Sequence, residues 1–262
     1  MIRIVFCFLI LTVATSLAHA ELRIVFVGNS LTGVNNLPGL FRTLANDQGF
    51  HPYVEQHLRF GQTLDVHLAD PDVRKSIQTG DWDYVVLQDF SNLVLTHPDQ
   101  LRAHVEAFQK LLGKGSKARV VMAENWAYQN APIDTQTQID KTYGQVARET
   151  GTAVVPLGRA FNFVKLNSLV GMFKPNDDRH PSTIATYMLS TMYLETFYGI
   201  DPRMVAHLGS TSDTPSVTSG EAVTPVTVPL EQFVSLADVE TVQQTAKVYS
   251  HHVPIACAAL FR

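Results

Sequence analysis

Cysteine is nearly missing from this chain. Of 262 residues only 2 are cysteine, Cys7 and Cys257. Cys7 lies in an N-terminal stretch that reads as a cleavable leader, so the processed chain keeps one thiol and no internal disulfide. Stability must then come from a core, and a hydrophobic content of 45% is enough to build one. Basic charge is scarce too, with 20 Lys and Arg against 24 Asp and Glu. That balance argues against nucleic acid, or an anionic membrane surface, as a partner. Beyond residue 20 no apolar run is long enough to cross a bilayer, so no transmembrane segment is expected. Metal-ligand spacing is absent as well: His57, His67, His251 and His252 stand without nearby acids in register, and no metal or other cofactor is expected. Gly113-Lys114-Gly115-Ser116-Lys117 is glycine-rich and basic but lacks the P-loop pattern, and it reads as a turn into a strand. There is no internal repeat.

What is present begins with the leader. Met1-Ile2-Arg3 is a short basic start, residues 4–13 are mostly apolar, and Ser16-Leu17-Ala18-His19-Ala20 ends in an Ala-x-Ala cleavage pattern. This is the layout of a secretory signal peptide cut after Ala20. Its removal leaves 19 Lys and Arg against 24 Asp and Glu, a net charge of −5, in a secreted or periplasmic protein.

From residue 22 onward, short apolar stretches alternate with segments of helical spacing. Strands are expected over 22–27, 52–58, 84–88, 118–123 and 152–156. Helices are expected over 37–48, 64–78 (interrupted by Pro71), 98–112, 134–150 and 182–198. Alternation of this kind predicts a flavodoxin-like three-layer α/β/α sandwich, with a parallel sheet of about five strands in the order 2-1-3-4-5. The domain reading is 1–20 signal peptide, 21–200 α/β domain, and 201–262 a C-terminal extension. In the extension, residues 209–229 read as an irregular, extended segment, and residues 230–249 as a helix that docks back on the domain.

In such a sheet, sites form beyond the carboxyl ends of the strands. Three groups are carried there: Ser30 after the first strand, residues 88–92 after the third, and Glu124-Asn125-Trp126 after the fourth. Ser30 lies in Gly28-Asn29-Ser30-Leu31-Thr32, a strand-to-helix turn that exposes a hydroxyl beside backbone N–H groups. Alone, this turn fits equally well a Ser30 or Thr32 that merely caps a helix. Near residue 180, Asp177-Asp178-Arg179-His180-Pro181-Ser182 supplies a carboxylate and an imidazole three residues apart. His180 can act as general base, and Asp177 can orient it, with Asp178 as a rival for that role. Trp126 and Tyr128 could shape a substrate pocket, although core packing suits Trp126 about as well.

These motifs resemble those of the SGNH (GDSL-like) hydrolases. Gly28-Asn29-Ser30-Leu31 matches their first block and Asp177-Asp178-Arg179-His180 their last. Gly61 stands where the family has a glycine after the second strand. Asn92, in Val85-Val86-Leu87-Gln88-Asp89-Phe90-Ser91-Asn92, stands where it has an asparagine after the third. The resemblance spans roughly residues 22–200. It is closest to a secreted subgroup with a Leu-Gln-acid-x-Ser third block. It implies a Ser30–His180–Asp177 catalytic triad and an oxyanion hole made by the Ser30 and Gly61 N–H groups and the Asn92 side chain. Phe90-Ser91 replaces the usual Gly-Thr before Asn92, which opens the alternative that Gln88 or Asp89 lines the pocket. The implied activity is that of a secreted serine esterase acting on O-acyl groups, acetyl foremost, of a small-molecule or glycan ester. Two other readings are a flavodoxin-like phosphate- or ligand-binding protein and an inactive hydrolase relative that binds glycans.

Overall fold

The computed structural model describes residues 21–91, 93–205, 217–220, 235–251 and 253. Among the described residues six strands form one sheet: β1 (Arg23–Gly28), β2 (Tyr53–Leu58), β3 (Tyr84–Leu87), β4 (Arg119–Ala123), β5 (Ala153–Val155) and β6 (Val217–Gly220). Their order is β5-β4-β3-β1-β2-β6, and each pairing is parallel. The expected 2-1-3-4-5 arrangement is therefore present, with a sixth strand laid beside β2. That strand falls inside the segment 209–229 expected to be irregular. With only four residues and no apolar alternation, it carries no periodic signal of its own.

Nearly continuous apolar strands are stable here because both sheet faces are covered. Successive side chains alternate between the faces. Ile24, Phe26, Val54, Tyr84, Val86 and Val121 join one core, while Val25, Val27, Val85, Leu87, Val120 and Met122 join the other. The helices, in chain order, are α1 (Ser30–Gly33), α2 (Leu37–Asp47), α3 (Leu64–Ala69), α4 (Pro71–Thr79), α5 (Leu93–Thr96), α6 (Pro98–Leu112), α7 (Thr135–Thr150), α8 (Leu157–Asn167), α9 (Thr183–Tyr198) and α10 (Leu236–Tyr249). Apolar residues of α2, α8, α9 and α10 complete the first core, and those of α3, α4, α6 and α7 the second.

Two departures from expectation have local causes. The segment 64–78 is two helices, because Pro71 has no N–H to continue α3. Instead it opens α4, with the Asp70 side chain accepting from the Asp72 N–H. Helix α8 was not expected, although Leu157, Ala160, Phe161 and Val164 share one buried face at helical spacing.

Helix α9 is buried from Ile184 to Phe197, because the sheet, α2, α8 and α10 all pack against it. Helix α10 opens on a Ser235/Asp238 capping box and buries Val239, Val242 and Ala246. Its Gln243 Nε2 donates to Tyr187 Oη at 2.9 Å and to the Val205 carbonyl at 2.8 Å. Residues 1–20, Cys257 and residues 230–234 of the expected C-terminal helix lie outside the described residues. Among the described residues, no helix is long and apolar enough to cross a membrane.

Candidate active site

β1, β3 and β4 run parallel and end at Gly28, Leu87 and Ala123, so the residues that follow them meet at one edge of the sheet. After β1 the chain turns at once into α1. The cap of that turn is Asn29, whose Oδ1 accepts from the Leu31 N–H at 3.1 Å while its carbonyl accepts from Thr32 and Gly33. Neither Ser30 nor Thr32 is the cap. With Asn29 in that role, the Ser30 hydroxyl is left for chemistry, and as the first residue of α1 it carries an N–H that the helix does not use.

The hydroxyl meets His180. Ser30 Oγ lies 2.9 Å from His180 Nε2, and His180 Nδ1 lies 2.7 Å from Asp177 Oδ2. The carboxylate only accepts, so Nδ1 carries the proton and Nε2 is left to accept from the serine. The other Asp177 oxygen, Oδ1, accepts from the backbone N–H of His180 at 3.0 Å and of Arg179 at 2.9 Å. Partial burial pushes the Asp177 pKa up, but the His180 and Arg179 N–H groups and the His180 ring outweigh it and hold it down at about 2. Asp178, the rival acid, is paired at 3.2 Å with Arg179.

The loop bearing Asp177 and His180 is braced from below. Lys174 N–H donates to the His180 carbonyl at 3.1 Å, and Ser182 N–H to that of Met172 at 2.9 Å. Trp126 Nε1 donates to the Arg179 carbonyl at 2.8 Å, and its ring stacks on Phe161 at 4.7 Å. With an exposure of 3%, Trp126 packs beneath the loop and supports it. Tyr128 is half-buried; its hydroxyl meets Ser91 Oγ, and the Arg179 guanidinium lies 5.3 Å from its ring centroid.

Gly61 sits in the loop after β2 at φ +71°, in the left-handed region, with open space where a Cβ would stand. Conformation, and not crowding, is what calls for glycine there. The loop is tied to the serine turn by Asn29 Nδ2, which donates to the Gln62 carbonyl at 3.3 Å. Asn92 lies outside the described residues. Gln88 and Asp89, expected as alternatives for lining the pocket, are buried at 5% and 1% exposure. Both N–H groups of the Gln88 amide are taken, by Asn125 Oδ1 and the Asp89 carbonyl. They are unavailable to an oxyanion. The direction of a side chain at a strand end depends on where the strand stops, and sequence periodicity does not resolve that to one residue.

His67, on α3, also serves the serine turn. Its Nε2 lies 2.9 Å from the Gly28 carbonyl and must be the donor, which leaves Nδ1 a buried acceptor with no partner among the described residues. Burial pushes its pKa down to about 4 from 6.5, against a smaller upward pull from the Gly28 hydrogen bond. The folded state therefore binds this proton more weakly than the unfolded chain. The His67 contribution is complete above pH 6.5 and is lost as pH falls towards 4, by up to about 3 kcal/mol. Glu124, pushed up to about 8 mainly by burial at the end of β4, gives a slope of opposite sign between pH 4.5 and 8. The measurement is thus a difference: chemical denaturation of wild type and His67→Gln should diverge below pH 6.5 in the variant's favour, and parallel curves would refute it.

Among the described residues there is no group of three or more His, Cys, Asp or Glu that could hold a metal ion. No protein-family model and no curated protein matches this sequence. Solved structures do resemble it. One is a protein assigned as an SGNH hydrolase from Slackia heliotrinireducens, at 22% identity and a TM-score of 0.54, covering 65% of this chain and 95% of that one. Another is a family 3 carbohydrate esterase of Clostridium thermocellum, at 12% identity and a TM-score of 0.51, covering 67% of this chain and 94% of that one. The fold is that of the SGNH hydrolases.

Proposed function

We propose that this chain is a serine esterase that hydrolyses O-acyl esters, with acetyl groups on carbohydrate as the favoured substrates. The observation that carries the reading is the Ser30–His180–Asp177 line of hydrogen bonds at 2.9 and 2.7 Å, at the carboxyl edge of a parallel sheet. In this reading Ser30 Oγ attacks the ester carbonyl while His180 Nε2 takes its proton, and Asp177 stabilises the imidazolium that forms. The developing oxyanion is received by the Ser30 and Gly61 N–H groups and the Asn92 side chain. His180 then gives its proton to the leaving alcohol. A water, deprotonated by the same nitrogen, releases the acyl group and restores the serine.

Two observations and one expectation from the sequence favour a sugar as the alcohol. An open cavity of about 510 Å³, lined by Gln129, Asn130, Asn176, Asp177, Asp178 and Arg179, lies on the Asp177 side of the triad, with neither Ser30 nor His180 in its lining. Carboxamides, a carboxylate and a guanidinium are groups that hydrogen-bond polyhydroxylated rings. One structural neighbour is a carbohydrate esterase. The leader over residues 1–20 would export the protein to where polymeric glycans lie. Residues 21–200 carry the chemistry, and the extension 201–262 contributes α10 as a cover over α9.

The test is covalent. A fluorophosphonate should label wild-type protein at Ser30, with mass spectrometry locating the adduct, and should leave Ser30→Ala unlabelled. A folded wild-type protein that neither takes the label nor hydrolyses p-nitrophenyl acetate would overturn the reading, and would leave the glycan-binding relative in its place.

A further inference from the structure

The geometry points to Gln88 and Asp89 as a positioning pair that holds the serine turn and the Gly61 loop in register. This inference rests on the esterase reading and adds to it the part that sets the site's shape. Gln88 works on the serine turn. Its Oε1 accepts from the Asn29 N–H at 3.2 Å and from Thr32 Oγ1 at 3.3 Å, so it grips the residues on either side of the Ser30–Leu31 step. Contact there is close: a Cβ built on Gly28 would meet the Gln88 side chain at 3.2 Å. Behind it, Gln88 Nε2 donates to Asn125 Oδ1 at 2.8 Å, and Asn125 Nδ2 donates to the Asp89 carbonyl at 3.1 Å. Asn125 itself is fully buried.

Asp89 works on the other two loops. Its Oδ1 accepts from the Leu64 N–H at 3.1 Å, where the Gly61 loop enters α3, and from the Phe90 N–H at 2.8 Å, where the chain heads towards Asn92. Its Oδ2 takes the His104 Nδ1 at 2.6 Å, and its side chain has no exposed surface. Burial pulls the His104 pKa down, but the Asp89 carboxylate outweighs it and holds the value above 6.5. Two consecutive residues thus bind all three loops from which the oxyanion donors are expected. A buried network with each member satisfied holds one geometry, and an error of about 1 Å in such a site can cost 10²-fold in rate.

The experiment compares Gln88→Met, Asp89→Ala and Asp89→Asn with wild type on p-nitrophenyl acetate. Alongside, amide exchange is followed over residues 28–33 and 61–65. Gln88→Met and Asp89→Ala should each lose about 10²-fold in kcat with KM within about twofold. Asp89→Asn, which keeps an acceptor for the Leu64 and Phe90 N–H groups, should stay within about fivefold of wild type. Val242→Ala, in the α9–α10 contact, should lower Tm comparably and leave kcat unchanged, which separates positioning from general instability. Should Gln88→Met fail to fold, Gln88→Asn, which withdraws the amide by one methylene, is read in its place. Full retention of kcat by the Met (or Asn) and Ala variants would overturn the inference. In a protein without esterase activity the exchange data decide: faster exchange over both segments supports the pair, and unchanged exchange removes it.

Discussion

Ser30→Ala should lower the turnover of p-nitrophenyl acetate by a factor on the order of 10⁴ to 10⁶, and adding His180→Ala should lower it no further. Both halves of that expectation come from one geometry. The serine hydroxyl and the imidazole share a single 2.9 Å hydrogen bond, so once either end is removed the other has no step left to perform. Asp177→Asn should cost nearly as much, on the order of 10⁴-fold, because an amide that donates towards Nδ1 stabilises the wrong tautomer. Asp178→Asn should leave kcat close to wild type, since the Asp178 carboxylate is spent on Arg179 at 3.2 Å. Steady-state kinetics of the five proteins is the measurement. An Asp178 variant as impaired as the Asp177 variant would mean that the orienting acid has been misassigned.

The second large effect concerns stability. Gly158→Ala should destabilise the fold by about 3 kcal/mol, at the upper end for overpacking. Gly158 opens α8 against the end of β4, where an added Cβ would stand 2.0 Å from the Asn125 carbonyl oxygen and 2.5 Å from Gln136 Nε2. The first of these is backbone and cannot swing aside. The second would break the bond from Gln136 to that same carbonyl, now 3.3 Å. Calorimetry reads the loss directly, and a Tm within a degree or two of wild type would show that α8 can slide. Because Asn125 also accepts from Gln88, the surviving folded fraction should show reduced kcat as well.

How far the sequence carried these conclusions differs from element to element. Strands such as 84–87 were legible because burial on both faces leaves an almost unbroken apolar run. The order 2-1-3-4-5 followed from alternation with helices. Ser30, Asp177 and His180 were legible because their spacing within two short blocks is itself chemical information. Gln88 and Asp89 were visible as polar residues ending an apolar strand, but not as buried ones. Which way they face depends on the twist and end point of β3 and on partners 25 to 37 positions away, Leu64 and Asn125. Trp126 was ambiguous for the same reason, since its partner, the Arg179 carbonyl, lies 53 positions away. Helix α8 carried a readable pattern at 157, 160, 161 and 164 that a glycine at its start obscured. β6 is defined by its pairing with β2, and no local signal announces a strand of four residues.

The cap at Asn29 has a practical corollary. Structural load and chemical duty fall on neighbouring residues: 29 fastens the turn and 30 is left uncommitted to it. Position 30 is therefore an editable socket. Under the esterase reading, a protein with alanine there should keep its melting temperature while being unable to turn over what it binds, a trap for isolating a bound ester from a mixture of candidates.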